Sequence, residues 1–227
     1  MFVIPCKYSE KSNIRNVVSQ LVKLHPTERI LVIDSYSNDQ SYMDDISQYS
    51  NVVLAEENQH FMDSAIWFAY FTFPDEEHYF FLQDSMEIHK NLNEFKNQEF
   101  TSFMWFPVDR ELLAKGRGWH NPEQKDYARN VLAENTDFEF PEEFIGLFGI
   151  TFACQRHVLT KLHERGMSKI LPRNKQEMCA TERLWGICLK QIGIDITENS
   201  IAGCLRDQPD PMTFRTEYLT KFTFNRS

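Results

Sequence analysis

The sequence has no run of about 18 apolar residues, the minimum for a helix that spans a bilayer. Its five cysteines are scattered and form no C-x-x-C pair, so neither a zinc site nor a disulfide framework is predicted. The eight glycines form neither a G-x-G-x-x-G sequence nor a phosphate-binding loop with lysine, which removes the main support for dinucleotide-binding and P-loop proteins. Met1 leads directly into an apolar run, with no charged n-region. These absences predict a cytoplasmic protein with reduced thiols and without a leader or transmembrane segment.

Positive charge is also scarce. The chain of 227 residues has 24 Lys and Arg against 33 Asp and Glu, a formal net charge of -9. Nucleic-acid binding needs clustered cations, and anionic lipid attracts basic segments, so we expect neither partner. Hydrophobic residues make up 42% of the chain and include 19 Phe, which is ample material for a core. The length predicts one domain.

The first ninety residues alternate short apolar runs with segments of helical periodicity. Apolar strands separated by helices are typical of parallel sheets that are covered on both faces. We therefore predict an α/β fold with a doubly wound open sheet. Its predicted strands are residues 2–4, 30–33, 52–54 and 78–82. The first predicted helix begins after Ser12 or Asn13, which would serve as its N-cap, and a later helix ends before Pro74.

The remainder of the sequence is less regular. It predicts helices at residues 123–133, begun by Pro122, at 157–164, and at 178–192, ended by Gly193. Strands are predicted at residues 100–108 and 147–154, and the tail from Asp207 is predicted to be irregular.

Polar residues follow three of the predicted strands at the sheet edge where open α/β sheets bind ligands. Pro5 and Cys6 follow the first strand, Asp34 and Ser35 the second, and Asp84 the fourth. An Asp at this edge can accept hydrogen bonds from a nucleoside or hold a divalent cation. In any single loop, turn formation is the simpler explanation for Asp and Ser. The convergence of three such loops favours a binding site.

Residues 32–39, Val-Ile-Asp-Ser-Tyr-Ser-Asn-Asp, resemble the V-V-D-D-G-S-x-D segment of GT-A-fold glycosyltransferases, above all the inverting family-2 type. The order of elements also matches, with Asn58 in a loop and then a strand that leads into Gln83-Asp84-Ser85, where the family has an Asp-x-Asp-like motif. Residues 180–193 are similar to the family's E-D-x-D-L-x-x-R-x-x-x-x-G helix, which supplies the catalytic base. The resemblance implies a GT-A-like doubly wound, mainly parallel sheet with a less regular acceptor-side half.

The resemblance also implies a function and a set of site residues. The protein would transfer a sugar from a nucleotide-diphosphate donor, with a UDP-sugar expected first, to a hydroxyl of a glycan or another acceptor, with inversion. Pro5, Cys6, Asp34 and Ser35 would face the nucleoside, and Asp84 would face the diphosphate and bind Mn2+ or Mg2+. Residues 1–227 would form a single domain, with residues 1–90 as its nucleotide-binding half and 91–227 as its acceptor-side half.

Several positions depart from the family pattern. Ser35 replaces its second Asp, and His60 stands where a Gly is usual after Asn58. The acidic motif keeps only Asp84, with Glu87 nearby. Sites for Mg2+ and Mn2+ often use one or two carboxylates together with phosphates and waters, so the reduced motif leaves a metal possible but its protein shell thin.

Glu182 is a candidate catalytic base for a reason independent of the family. Met178, Trp185, Leu189 and Ile192 form an apolar helix face, and a turn of about 100° per residue puts Glu182 at its edge. Partial burial raises the pKa of a carboxyl group and suits it to proton abstraction. The alternative, with equal weight, is an ion pair with a neighbouring Arg or Lys.

The loop at residues 115–122 carries glycines, cations and Trp119. Trp119 could stack on a sugar with Arg117 near the diphosphate, or the loop could be an ordinary connection with a packed Trp. Two other functions stay open for the whole chain. One is a catalytically inactive GT-A-like protein that binds a sugar nucleotide or a glycan. The other is a different α/β transferase whose acidic edge is similar by chance.

Overall fold

The computed structural model describes residues 1–55, 61–115, 118–119, 121–210 and 212–223, apart from the side chains of residues 61–63. The strands are β1 (Phe2–Cys6), β2 (Ile30–Asp34), β3 (Val52–Ala55), β4 (His78–Phe81), β5 (Met86–Ile88), β6 (Phe100–Ser102), β7 (Trp105–Val108), β8 (Phe144–Leu147), β9 (Phe152–Gln155), β10 (Thr213–Arg215) and β11 (Leu219–Phe222). The α-helices are α1 (Ile14–Leu24), α2 (Ser41–Ser47), α3 (Phe61–Thr72), α4 (Arg110–Ala114), α5 (Pro122–Asn135), α6 (Arg156–Glu164) and α7 (Lys175–Gln191). No described helix combines the length and the apolar character needed to cross a membrane.

The central sheet has six strands in the order β3-β2-β1-β4-β9-β6. Strand β1 runs parallel to both β2 and β4, and β2 runs parallel to β3. Strand β9 is antiparallel to its neighbours β4 and β6. The predicted α/β class and mainly parallel sheet are therefore confirmed. Because the chain moves outward from β1 to β3 and then returns to β4 on the other side, the strand order reverses between β1 and β4.

Both faces of this sheet are covered. The alternation of side chains along β4 sends Tyr79 and Phe81 into one core cluster, which includes Trp185, and Phe80 into the other, which includes Tyr42. Helix α1 packs on the second face through Ile14, Val17, Val18 and Leu21, the helical spacing seen in the sequence.

Residues 100–108 do not form the single strand that the sequence predicts. Phe103 and Met104 separate β6 from β7, and the two strands join different sheets: β6 pairs with β9, whereas β7 pairs with β8. All the residues from Phe100 to Val108 are buried or half-buried, and of these Thr101 and Ser102 are polar. The burial of the segment therefore gives no sign of the break.

The strand predicted at residues 147–154 is also divided. Strand β8 ends at Leu147, a short 3-10 segment covers Phe148–Ile150, and β9 then begins at Phe152. Gly149 has a φ of 67° and Ile150 a φ of 47°. A left-handed backbone at two successive residues cannot continue a strand, so the prediction is wrong at this point.

The prediction of an irregular tail is wrong as well. Strand β11 pairs antiparallel with both β10 and β5, and it places Lys221 opposite Met86. The partner strand lies far away in the sequence and the pairing stretches are short, so local composition does not reveal it. The predicted helices at residues 123–133, 157–164 and 178–192 are confirmed, and Gly193 follows the last one with a φ of 89°.

Candidate functional site

The loops after β1 and β4 meet at the point where the strand order reverses. The Ser12 hydroxyl donates a hydrogen bond of 2.9 Å to Asp84 Oδ2, and the Cys6 thiol lies 3.7 Å from the same oxygen. The backbone N–H of Asn13 donates to the Asp84 carbonyl at 2.9 Å. The structure thus brings Cys6 and Asp84 together, and it ties the start of α1 to the acidic motif.

Cys6 is a structural thiol in this network. Burial, and then the nearby Asp84 carboxylate, raise the pKa of the Cys6 thiol. A raised pKa keeps sulfur protonated and weakly nucleophilic. Asn13 occupies the N-cap position of α1 as predicted, but its side chain makes no capping bond and instead donates to the Met86 carbonyl at 2.7 Å.

The carboxylate of Asp34 organises the loop that follows β2. Asp34 is fully buried; its Oδ1 accepts from the Ser37 backbone N–H at 2.8 Å and its Oδ2 accepts from the Tyr42 hydroxyl at 2.9 Å. The Ser35 N–H donates to the Cys6 carbonyl at 2.7 Å. The loops after β1 and β2 are therefore joined by the bond between Ser35 and Cys6. The Asp34 carboxylate does not take part in this link, because its oxygens accept hydrogen bonds from its own loop and from the start of α2.

Tyr36, at the tip of this loop, is a further candidate residue of the site, one that the sequence analysis does not name. It has a φ of 56° and its side chain is 55% exposed. A bulky residue with positive φ is strained, and such strain often accompanies function. A signal was present in the sequence, because the segment that residues 32–39 resemble has its glycine at this position.

The loops after β1 and β2 also contact each other through aromatic rings. The Tyr8 backbone N–H donates to the Ser37 hydroxyl at 2.7 Å, and the Tyr8 ring stacks on Tyr42 with centroids 5.0 Å apart. Arg15 lies over the outer side of the Tyr8 ring and pairs with Asp45. These contacts fix the relative position of the two loops.

Glu182 is half-buried on α7, between the buried residues Thr181 and Arg183. The Arg183 guanidinium donates to the Gly118 carbonyl at 2.6 Å and to the Cys179 carbonyl at 2.5 Å. It lies over the rings of Trp119 and Phe106, at 5.0 and 5.3 Å from their centroids. Burial lowers the pKa of Arg183, and the Glu182 charge opposes that change. Helix α7 is buried at positions 180, 181 and 183–189, whereas Met178 and Ile192 of the predicted apolar face are only half-buried.

A chain of contacts connects the acidic motif to α7. The Gln83 side-chain amide donates to the Gly149 carbonyl at 2.7 Å, and Gly149 lies two residues after the end of β8. Helix α7 packs closely on β8, because a Cβ on Gly186 would lie only 1.9 Å from the Ile145 carbonyl oxygen. The helix that carries Glu182 and the loop that carries Asp84 therefore both contact residues 144–149, that is, β8 and the segment after it.

Lys221 is the second residue that the sequence analysis missed. It is 3% exposed on β11, and its neighbour Phe222 donates from the backbone to the Ser85 carbonyl at 2.9 Å. Lys221 Nζ lies 5.9 Å from the centroid of the Phe148 ring. No local signal could have identified it, since its position depends on the distant pairing of β11 with β5.

Other predicted elements contribute less. Trp119 packs against Phe140 and Phe144, with ring centroids 6.0 and 5.7 Å apart, as expected of a structural Trp. Arg117, Asn58 and His60 lie outside the described residues. A groove of about 550 Å³ lies between β7, β8 and the second half of α7, but none of the predicted site residues lines it.

The donor set at the acidic motif fits a resident metal ion poorly. Within the described ranges, no three His, Cys, Asp or Glu side chains gather as metal ligands. Asp84 is a single carboxylate, and one of its oxygens already accepts the Ser12 hydroxyl. Mg2+ demands near-ideal octahedral geometry with oxygen ligands, and one partly committed carboxylate supplies little of it.

Comparison with known proteins gives matches in structure only. No protein-family model matches the chain, and no curated protein sequence matches it. Among solved structures, 254 chains match. One is CMP:2-keto-3-deoxy-manno-octonic acid synthetase complexed with CTP, with 11% identity and a TM-score of 0.46, over 90% of this chain and 89% of that one.

Two further matches are longer proteins. S. aureus TarS in complex with UDP has 15% identity and a TM-score of 0.46, over 81% of this chain. GalNAc-T7 with UDP, GalNAc and Mn2+ has 13% identity and a TM-score of 0.48, also over 81% of this chain. The chain spans 54% and 40% of their respective lengths. A shared fold does not determine a function, so function has to follow from the residues of the site.

Proposed function

We propose that the protein is a GT-A-like glycosyltransferase that transfers a sugar from a nucleotide-diphosphate donor to a hydroxyl of a glycan or another acceptor, with inversion. A UDP-sugar is the donor we expect first. One observation carries the proposal: the polar loops after β1, β2 and β4 are tied together where the strand order reverses, through Cys6, Ser35 and Asp84. That is where open α/β sheets bind nucleotides.

The nucleoside end of the donor would lie against the loops after β1 and β2. Pro5 and Cys6 offer backbone groups, and Ser35 offers a hydroxyl at the end of β2. Asp34, buried and fully engaged with its own loop, would hold these groups in position. The exposed ring of Tyr36 would provide a flat surface for the base.

The diphosphate would lie along the loop that starts at Gln83. Asp84 borders this position, and its carboxylate is held by Ser12. The expected Mn2+ or Mg2+ would have to bind through Asp84 and phosphate oxygens, and the poor donor set argues against assigning the ion a step in the reaction. The proposed reaction therefore uses only the chain's own residues.

Glu182 would act as the general base. As the acceptor oxygen attacks the anomeric carbon, its proton passes to the Glu182 carboxylate. The bond between that carbon and the phosphate oxygen breaks, and the nucleoside diphosphate leaves with the electron pair. A single displacement of this kind inverts the anomeric configuration. The support for Glu182 is its half-buried place on α7, since a base needs a pKa raised toward neutrality.

The test is to incubate the protein with UDP-, GDP-, dTDP- and CDP-sugars and a panel of glycan acceptors, and to detect product by mass spectrometry. Removal of a general base lowers turnover by about 100- to 10,000-fold. We expect that loss in Glu182→Gln, with nucleotide affinity changed less than about threefold. Glu164→Gln, at an exposed position on α6, is the matched control. Full turnover in Glu182→Gln, or a product with retained configuration by NMR, would contradict the mechanism.

A further inference from the structure

We propose that the Lys221 ammonium, and not a bound metal ion, supplies the positive charge that holds and releases the donor's diphosphate. The inference rests on the proposed function. A leaving diphosphate needs a compensating positive charge. The acidic motif offers only one carboxylate to hold a metal ion, so we expect that charge to come from a side chain. Lys221 is the buried cation on the strand that pairs directly beside that motif.

The pairing of β11 determines where Lys221 lies. Its backbone is opposite Met86, two residues after Asp84, and the next residue donates to the Ser85 carbonyl. Lys221 Nζ and Gln83 Nε2 both lie 3.3 Å from the point that a Cβ on Gly149 would occupy. The ammonium therefore reaches the loop that follows β4, where the diphosphate would lie. The absence of a side chain at Gly149 leaves room for it.

The environment of Lys221 combines burial with a position beside a polar loop. A buried ammonium loses hydration energy, which contacts with anions or polar groups offset. The ammonium itself lies near the Phe148 ring, and both Nζ and Cε lie close to Gly149. An ammonium group also binds phosphate as a point charge, without the ligand geometry that Mg2+ requires.

The chemistry needs no further reactant. When the bond from the anomeric carbon to the phosphate oxygen breaks, the oxygen keeps the electron pair and its negative charge increases. Lys221 keeps its proton and stabilises that charge through the ammonium N–H groups. The acceptor's proton goes to Glu182. Lys221 therefore acts on the leaving group and Glu182 on the attacking hydroxyl.

The test compares a nucleoside diphosphate with its nucleoside. Isothermal titration calorimetry in EDTA would measure UDP against uridine, and likewise GDP, dTDP and CDP against their nucleosides. We expect one diphosphate to bind the wild type equally in EDTA and in Mg2+ or Mn2+, within about twofold. Lys221→Met should weaken that diphosphate at least tenfold and the nucleoside less than twofold. A misfolded variant would lose both ligands together.

Three further variants sharpen the result. Lys221→Arg should recover most of the diphosphate affinity, and Lys23→Met, at an exposed lysine in the last turn of α1, should change it less than twofold. Asp84→Asn should bind the diphosphate with the same affinity in EDTA as in Mg2+ or Mn2+, like the wild type. Diphosphate binding that requires metal, or that survives Lys221→Met unchanged, would overturn the role of Lys221 and leave the glycosyltransferase proposal standing. Failure of all four diphosphates to bind under any condition would overturn both.

Discussion

Tyr36 combines a backbone conformation that lowers stability with an exposed aromatic ring that could contact a ligand. A residue with a side chain loses about 1–2 kcal/mol in the left-handed region, and Tyr36 occupies that region with a φ of 56° while more than half of its side chain faces solvent. The proposed contact with the donor's base would account for this conformation.

Replacement of Tyr36 by glycine should therefore separate stability from binding. Glycine adopts positive φ without strain but adds flexibility to the unfolded chain, so we expect Tyr36→Gly to unfold at the same urea concentration as the wild type or a higher one. The affinity for the nucleotide should fall, because the ring is lost. A loss of stability above about 1 kcal/mol with unchanged affinity would show that Tyr36 is a packing residue.

His25 provides a prediction about pH. Burial lowers the pKa of His25 to about 4, and its Nε2 accepts the Leu92 backbone N–H at 3.1 Å, which a protonated ring cannot do. His78 is lowered to about 4 for the same main reason. Because the unfolded chain takes up these protons first, near pH 6.5, stability is complete above that pH and falls as the pH decreases toward 4.

Urea unfolding between pH 7.5 and 4.5 measures this effect. Each histidine contributes a slope of up to about 1.4 kcal/mol per pH unit below pH 6.5. His25→Gln keeps an acceptor for the Leu92 N–H, and it should reduce the slope of the unfolding free energy against pH by the contribution of one histidine. A wild-type free energy of unfolding that stays constant from pH 7.5 to 5 would contradict the burial argument.

Among the elements, α7 and β8 form the contact on which the site depends most. Gly186 lets the helix approach the Ile145 backbone, and this approach holds Glu182 relative to the loop after β4. Helix propensity alone predicts that alanine would stabilise this helix by about 1 kcal/mol relative to glycine. Packing predicts the opposite, since the new Cβ would lie 1.9 Å from the Ile145 carbonyl oxygen and would force the helix and the strand apart.

We therefore expect Gly186→Ala to destabilise the protein by about 1–3 kcal/mol, the usual effect of overpacking. At about 2–4 °C per kcal/mol for a chain of this length, its thermal midpoint should fall by several degrees. Lys190→Ala, at an exposed position on the same helix, should change stability by less than about 0.5 kcal/mol. An increase in the midpoint of Gly186→Ala would show that α7 and β8 can separate without cost.

The sequence predicts those elements whose buried faces follow a local period. Strands β1 to β4 and helices α1, α5, α6 and α7 carry such patterns. The breaks at Phe103 and Gly149 were not predictable in the same way, because buried residues continue across both of them. At Phe103 the chain passes from one sheet to another, and at Gly149 the backbone turns through a left-handed conformation. Periodicity reports which side of an element is buried, and it does not report which partner it meets.

At the scale of the whole molecule, the site combines residues from both ends of the chain. Cys6, Asp34 and Asp84 follow the early strands and were predictable from their place after them. Lys221 reaches the same edge only because β11 pairs with β5, about 130 residues away. A chain with a net charge of -9 would attract an anionic donor only through such a local cation, which makes this long-range pairing central to the account.

The most direct test of the account is thermal unfolding of the wild-type protein with UDP, GDP, dTDP and CDP, each in EDTA, Mg2+ and Mn2+. A ligand at 100 times its Kd stabilises a protein by about 2.7 kcal/mol, which corresponds to several degrees for a chain of this size. We predict a shift of that size with one nucleotide, UDP first, that is equal in all three conditions. No shift with any of the four at millimolar concentration would contradict the proposal that this sheet edge binds a sugar nucleotide.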